Sequence, residues 1–276
     1  MNANEVVVFV PTRGNKKLLM NMANQLRAVR KVYFLATQVK VEEDELPPNA
    51  KVLYGGERYQ KRAFAVKMAC DLGLPYCIMI DDDLTSKTMP ETAATLADTL
   101  AAYPFLGTVC AQSRMSLGMS WLSTPYSHPF VLKNFSACFF GISVEAYNQV
   151  PGFRASVFDD LDLGAQMWNI GFANAAIERS FDYKRKTGNQ DPSQGGMPSA
   201  EYEAGVQAGL QALRTMPDIL PRVDAVIRDG HTRQKLTWNW DRMLANLRHR
   251  FPTLSYADSK IAFMGASGVS NGNLTN

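Results

Sequence analysis

The sequence predicts an α/β protein: a doubly wound, mostly parallel sheet with helices on both faces, followed by a helical C-terminal extension. Three observations predict it. Glu5-Val6-Val7-Val8-Phe9-Val10 and the run from Tyr76 to Ile80 are almost continuously apolar and rich in β-formers, as strands covered on both faces must be. Strand-like and helix-like segments alternate through the first eighty residues, the order that builds parallel sheets through crossover helices. From Glu201 onward, apolar residues recur at helical spacing.

In chain order, the opening strand ends at Pro11-Thr12-Arg13-Gly14, and Leu18, Met22, Leu26 and Val29 mark a helix over residues 17–30. Residues 31–36 form a second strand and 51–54 a short third, separated by an acidic loop with Pro47-Pro48. Tyr59, Ala63, Val66 and Cys70 are spaced as one face of an amphipathic helix that Gly73 closes. After the strand ending at Ile80 come a helix over 89–102 with Pro90 in its first turn, a strand at 106–111, and a long loop over 112–129. Residues 134–142 predict a strand, 144–150 a short helix, 162–170 a helix stopped by Gly171, and 173–177 the last sheet strand. Residues 184–199, rich in Gly, Pro, Asn and Gln, predict a loop serving as a lid. Ala204, Val206, Leu210 and Leu213 build one C-terminal helix; Trp240, Met243, Leu244, Leu247 and Phe251 build another. The expected division is a catalytic core over 1–200, a helical extension over 201–264 and a disordered tail over 265–276.

With 46% hydrophobic and 20% charged residues, the composition is that of an ordinary globular protein. No apolar run approaches the roughly 18 residues that span a bilayer, and the start carries no secretory pattern. Four cysteines without CxxC spacing (Cys70, Cys77, Cys110, Cys138) predict reduced core thiols and a cytoplasmic protein. The net charge of +3 is uneven: between Arg222 and Arg250 seven Lys/Arg stand against three Asp. The basic character therefore belongs to the C-terminal region.

Two acidic clusters carry the chemistry. Asp81-Asp82-Asp83 follows a buried strand directly, and open α/β sheets bind ligands at the carboxyl ends of strands. Three adjacent carboxylates repel one another, and Mg²⁺ or Mn²⁺ held with substrate phosphates relieves that repulsion. The plain alternative is an exposed acidic turn. The second cluster, Asp159-Asp160-Leu161-Asp162, opens a helix, where the plain role is capping and complementing the helix dipole.

In order along the chain, Pro11-Thr12-Arg13, Ile80-Asp81-Asp82-Asp83, the 134–141 segment, Val150-Pro151-Gly152-Phe153 and Asp159-Asp160-Leu161-Asp162-Leu163 with Gly171-Phe172 together resemble the family 2-like glycosyltransferases of GT-A (Rossmann-like) fold. The likeness covers about residues 5–180. Pro151 stands where such members usually have Gly, and Asp159 where they have Glu. The resemblance implies a nucleotide-sugar donor, UDP-sugar foremost, and a metal, Mn²⁺ or Mg²⁺, held by Asp83 with Asp81. Asp81 and Asp82 would also face the donor, beside Pro11, Thr12 and Arg13. Asp160 becomes the general base of an inverting transfer, with Asp159 the alternative. Arg58 and Arg62, one helical turn apart, are expected to face the diphosphate, and His231 to supply a third metal ligand; solvated arginines and an incidental loop histidine are the plain alternatives.

The helix of residues 57–73 running into the acidic strand, with a basic extension after the core, is similar to the TET-associated glycosyltransferases of bacteriophages. That narrower likeness implies a DNA acceptor, the hydroxymethyl oxygen of a modified pyrimidine. Arg233, Lys235, Trp238, Arg242 and Arg248 would contact it through phosphate and stacking interactions; a helix packing its Trp/Leu face on the core is the plain reading. Polysaccharide and small-molecule acceptors compete. Two other classes stand beside this one. Asp81-Asp82-Asp83-Leu84-Thr85 also fits the D-x-D-x-T nucleophile motif of haloacid-dehalogenase phosphatases, which normally follows the first core strand. A non-catalytic DNA-binding protein would explain the basic segment alone. No Walker A, G-x-G-x-x-G or G-x-S-x-G motif is present.

Overall fold

The computed structural model describes residues 1–12, 15–37, 41–55, 58–113, 130–136, 138–183, 199–228 and 231–254. The expected segments over 112–129, 184–199 and 265–276 lie wholly or largely outside these residues.

The first half alternates as expected: β1 (Val7–Thr12), α1 (Lys16–Gln25), β2 (Lys31–Ala36), β3 (Ala50–Tyr54), α2 (Arg58–Asp71), β4 (Tyr76–Ile80), β5 (Leu84–Thr85) and α3 (Met89–Ala102). β6 (Leu106–Ser113), β7 (Phe130–Lys133), β8 (Phe139–Ser143), α4 (Val144–Tyr147), α5 (Asp159–Asn169) and β9 (Ala173–Tyr183) complete the sheet layer. α6 (Ser199–Arg214), β10 (Arg222–Arg228), β11 (His231–Thr237) and α7 (Trp240–Arg250) follow.

Among the described residues the main sheet has nine strands in the order β3-β2-β1-β4-β8-β6-β9-β5, with β7 also paired to β9. β1 pairs in parallel with both β2 and β4, and β2 with β3. β8 runs antiparallel between β4 and β6, and β6 and β9 are parallel again. The sheet is thus mixed and mostly parallel. The chain leaves β1 toward β2 and β3, then crosses back through α2 to place β4 on the other side of β1. The β1–β4 junction is therefore a switch point, where ligands bind in open α/β sheets.

Two-sided burial explains the apolar runs. Val6, Val8 and Val10 face one core cluster with Ile78 and Ile80, Leu19 and Met22 of α1, and Leu96 and Leu100 of α3. Val7 and Phe9 face the other with Cys77, Met79 and Ala65, Val66 and Ala69 of α2. Helix ends obey local chemistry. Asn15 accepts a hydrogen bond from the Leu18 amide at the start of α1. Gly73, at φ +67°, ends the α2 segment in the left-handed conformation that glycine adopts without strain.

Several expectations are corrected. The predicted 134–142 strand begins only at Phe139, because Cys138 turns to φ 66° and the Asn134 carbonyl is held by the Asn174 side chain. β7, unforeseen, precedes it. The last strand runs on to Tyr183 because β7 and β5 pair along its length. Cys70 is exposed, since the buried side of α2 carries Lys61, Arg62, Ala65, Val66 and Ala69.

The largest correction concerns the extension expected to be helical. Between α6 and α7 lies an antiparallel hairpin, with Arg222 opposite Thr237 and Arg228 opposite His231. Val223, Ala225 and Ile227 alternate with polar residues at the strand period, and the Asp229-Gly230 dipeptide between the runs is a strong hairpin signal. The C-terminal elements share the main cluster: Leu213, Ile219, Met243, Leu244 and Leu247 are buried in it. Trp168 of α5 meets Trp240 edge to face, ring centroids 5.7 Å apart. No helix among the described residues is long and apolar enough to cross a membrane.

Candidate functional site

The switch point gathers the carboxyl ends of β1 and β4 with the first turn of α5. Strand alternation decides who meets whom. Thr12 continues the Val8–Val10 face of β1, and its hydroxyl donates to Asp82 Oδ2 at 2.6 Å. Asp81 continues the Cys77–Met79 face of β4, toward α2. There the Arg62 guanidinium donates through Nη2 to Asp81 Oδ1 at 2.8 Å and through Nη1 to Asp159 Oδ2 at 2.9 Å. One buried cation thus ties the end of the acidic strand to the start of the acidic helix.

Arg62 is only 2% exposed, and its guanidinium lies over the Phe140 ring at 5.6 Å. Burial pulls its pKa down, but the charges of Asp159, Asp81 and Asp160 outweigh burial and push it above its ordinary value. It stays charged. Its Nε is a buried nitrogen without a partner. Lys61, beside it and 3% exposed, donates to the Thr12 carbonyl at 2.8 Å and to Thr37 Oγ1 at 3.1 Å, pinning the ends of β1 and β2 together. The Asp81 amide donates to the Cys138 carbonyl at 2.8 Å, which fixes the backbone where the acidic turn leaves the sheet.

The three acids of the first cluster therefore differ in environment. Asp81 is engaged by Arg62. Asp82 and Asp83 are buried, at 8% and 6% exposure, on the turn between β4 and β5. An exposed acidic turn is excluded for these two. Across Arg62, Asp159 is 4% exposed and Asp160 is half-buried. Phe158 precedes them at φ 63°, a left-handed conformation unusual for an aromatic residue and a mark of a backbone held by its surroundings. The turn is stitched locally, with the Asp160 amide donating to Asp159 Oδ1 at 3.1 Å and the Leu161 amide to Asp160 Oδ1 at 2.9 Å.

Asp162, third acid of that motif, serves the fold. It is fully buried, gripped by the Arg154 guanidinium and bonded by Gln166 Nε2 at 2.8 Å. Arg154 also donates to the Ala212 carbonyl and Thr215 Oγ1, so this network fastens the segment before α5 to the end of α6. Two glycines of α6 close the contact. A Cβ on Gly209 would lie 2.3 Å from the Val157 carbonyl oxygen, and one on Gly205 2.7 Å from Val157 Cγ2.

Other expected residues fall elsewhere. Pro11 is buried in β1 beside Thr12. Arg13 lies outside the described residues, as does the Arg58 side chain at the start of α2. Arg62, expected to face a diphosphate, is instead committed to two carboxylates, because the α2 face that packs on the sheet carries it inward. His231 and Arg233 lie on β11, with His231 paired to Arg228 at the turn end of the hairpin; their side chains are outside the described set. Lys235 is exposed. Arg242 is exposed and 3.8 Å from Asp218, and Arg248 is exposed on the last turn of α7. Trp238 is partly buried against the main cluster. Among the described residues no three His, Cys, Asp or Glu side chains group as metal ligands. Three strands precede β4, which departs from the phosphatase pattern of a nucleophile after the first strand.

Lys61, Arg154 and Gln166 carry no motif in the sequence, and Arg62 meets carboxylates where a diphosphate is expected. Only their proximity in the chain to acidic or glycine-bearing motifs hinted at them.

No protein-family profile matches the chain, and no curated protein sequence does. Among solved structures, the chain is similar to the mannosyltransferase PcManGT from Pyrobaculum calidifontis, determined in complex with GDP-Man and Mn²⁺. The two share 15% identity at a TM-score of 0.51, over 97% of this chain and 76% of that one. Protein A197 from STIV is a more distant match, 11% identical at a TM-score of 0.37 over 63% of this chain and 82% of that one, and carries no argument. At such identities the first likeness establishes the fold. The chain has the expected α/β architecture, a mixed and mostly parallel sheet of the glycosyltransferase type.

The α6 contact makes a prediction. Gly209→Ala forces a methyl group against the Val157 carbonyl and should lower the unfolding free energy by about 1–3 kcal/mol, as overpacking does. Urea denaturation measures it, and an unchanged midpoint would show that α6 is not seated on this segment.

Proposed function

We propose that this chain transfers a sugar from a nucleotide-diphosphate sugar to a hydroxyl acceptor, with a divalent cation and with Asp160 as general base. One observation carries the reading. At the switch point of a glycosyltransferase-type sheet, Asp81 at the end of β4, beside the buried Asp82 and Asp83, is tied through Arg62 to Asp159 in the acidic first turn of α5.

The donor set fits a hard cation. Carboxylate oxygens are the ligands that Mg²⁺ and Mn²⁺ prefer, and such ions need only one or two of them when phosphates and water complete the shell. A site without three clustered protein ligands is therefore adequate. Asp83 is the first ligand we assign; Asp81, one of whose oxygens answers Arg62, is the second, and His231 the proposed third. The cation would neutralise the charge that builds on the departing diphosphate. Thr12 and Asp82 line the donor side with Pro11, and Arg13 and Arg58 adjoin it in sequence.

On the acceptor side, the Asp160 carboxylate takes the proton of the attacking hydroxyl as its oxygen bonds to the anomeric carbon. The bond from that carbon to the phosphate oxygen breaks, and its electron pair leaves with the nucleoside diphosphate. Attack opposite to departure inverts the anomeric centre. Asp159 is the poorer candidate, because it is buried and its two oxygens accept from Arg62 and from the Asp160 amide.

For the acceptor, we propose the hydroxymethyl group of a modified pyrimidine in DNA. Its support is electrostatic: Lys235, Arg242 and Arg248 are exposed cations of the basic C-terminal region, suited to phosphate contacts. Trp238, packed against the core, lends little to it.

A panel of GDP- and UDP-sugars offered with plain and hydroxymethylated DNA, read by mass spectrometry, tests donor and acceptor together. Asp83→Ala should abolish the Mn²⁺-dependent part of nucleotide binding; calorimetry showing unchanged affinity in Mn²⁺ would remove Asp83 as ligand. Asp160→Asn should retain nucleotide binding while transfer falls by about 100-fold or more, the usual scale of a lost general base. Near-normal turnover would place the base elsewhere. Charge reversal at Arg242 and Arg248 should weaken DNA binding and reduce its salt dependence by about one unit of slope per lost phosphate contact. Unchanged binding in a filter assay would count against a DNA acceptor.

A further inference from the structure

Resting on that reading, we propose that Arg62 is a positioning residue that sets the separation between the donor-side and acceptor-side carboxylates. Its partners lie on different elements, 19 and 97 residues away in the chain. Asp81 belongs to the strand end that carries Asp83, and Asp159 to the turn that carries Asp160. Arg62 belongs to neither. It stands on α2, whose Ala65, Val66 and Ala69 are anchored in the core against Val7, Phe9, Cys77 and Met79. It therefore acts as a fixed post between the two halves of the site.

The energetics favour this role over simple stabilisation. A buried ion network is often no more stabilising than well-packed apolar residues of the same volume. Here the arrangement also leaves Nε buried without a partner, a cost an apolar side chain would not carry. What an apolar residue does not supply is directional contact with two carboxylates at once. The planar guanidinium supplies it from two terminal nitrogens held at a fixed spacing and angle, whereas a lysine offers its donors from one rotatable point and cannot hold both carboxylates at that separation. Asp160 follows the post because its amide is bonded to Asp159 Oδ1 and its own carboxylate to the next amide. A change in the Arg62–Asp159 link moves the base relative to the anomeric carbon. Misplacement by about 1 Å costs roughly 100-fold in rate.

The test is Arg62→Lys in the full chain, with three readouts. Mn²⁺-dependent nucleotide affinity and the donor KM should stay within about threefold of wild type, while kcat for transfer falls by roughly 100-fold. Amide exchange should quicken in residues 159–163 and remain unchanged in β1 and β4. Retained kcat, or exchange that accelerates evenly over the sheet, would overturn the proposal, the second result assigning Arg62 to stability alone. If Arg62→Lys does not fold, Arg62→Gln, which keeps a donor for only one of the two carboxylates, is read in the same way. Wild-type protein that moves no sugar from any donor would sink the glycosyl-transfer reading instead, and the post would still stand or fall on the local exchange pattern.

Discussion

The candidate site depends on one of the two cations that α2 buries among the described residues. Arg62 sits between Asp81 and Asp159, almost out of contact with water, and every element of the candidate site is defined by its relation to that side chain. Removing the cation and leaving its partners would strand the buried charge of Asp159, a change that typically costs about 3–5 kcal/mol. The surrounding order follows from the same constraint. Lys61 pins β1 and β2 beside it, Phe140 closes over it, and the first turn of α5 is stitched by its own acids.

A second layer of support comes from the C-terminal third. Asp162 and Arg154 fasten α5 to α6, while Trp168 and Trp240 fasten it to α7. The hairpin between those helices roots through Val223 and Leu236, partly buried against the main cluster, whereas Ile227 near its turn is 75% exposed. The elements after the sheet thus brace the acidic helix and present the basic hairpin outward from the same scaffold.

What was legible in the sequence follows from how each signal arises. β1 and β4 announced themselves because both faces are buried, so no polar residue interrupts them. The 31–36 strand and the 89–102 helix were found at their observed bounds. The two acidic clusters were legible because three acids beside a strand or helix have few structural uses. Arg62 and Lys61 were not, because apolar periodicity assigns charged residues to the solvent side, and α2 buries two of them. That shifted the inferred inner face of α2 toward Cys70, which is exposed. The hairpin is hidden for a different reason: helical spacing at 204–213 and at 240–251 flanks strands whose alternation and Asp-Gly dipeptide are the weaker local signal. β7, four residues long, is too short to stand out from the loop before it.

The reach of the Arg62–Asp159 pair has a consequence for synthesis. The carboxylate that completes the network is made 97 residues after the arginine, which at the usual 5–20 residues per second is a wait of about 5–20 s. Through that interval the nascent β1–β4 unit holds an inward-facing cation with only Asp81 to answer it. The unit has reason to stay open, or to be sheltered, until α5 emerges. An autonomous N-terminal β1–β4 fragment is therefore not something this chain is built to release; that half is electrostatically unfinished without the other.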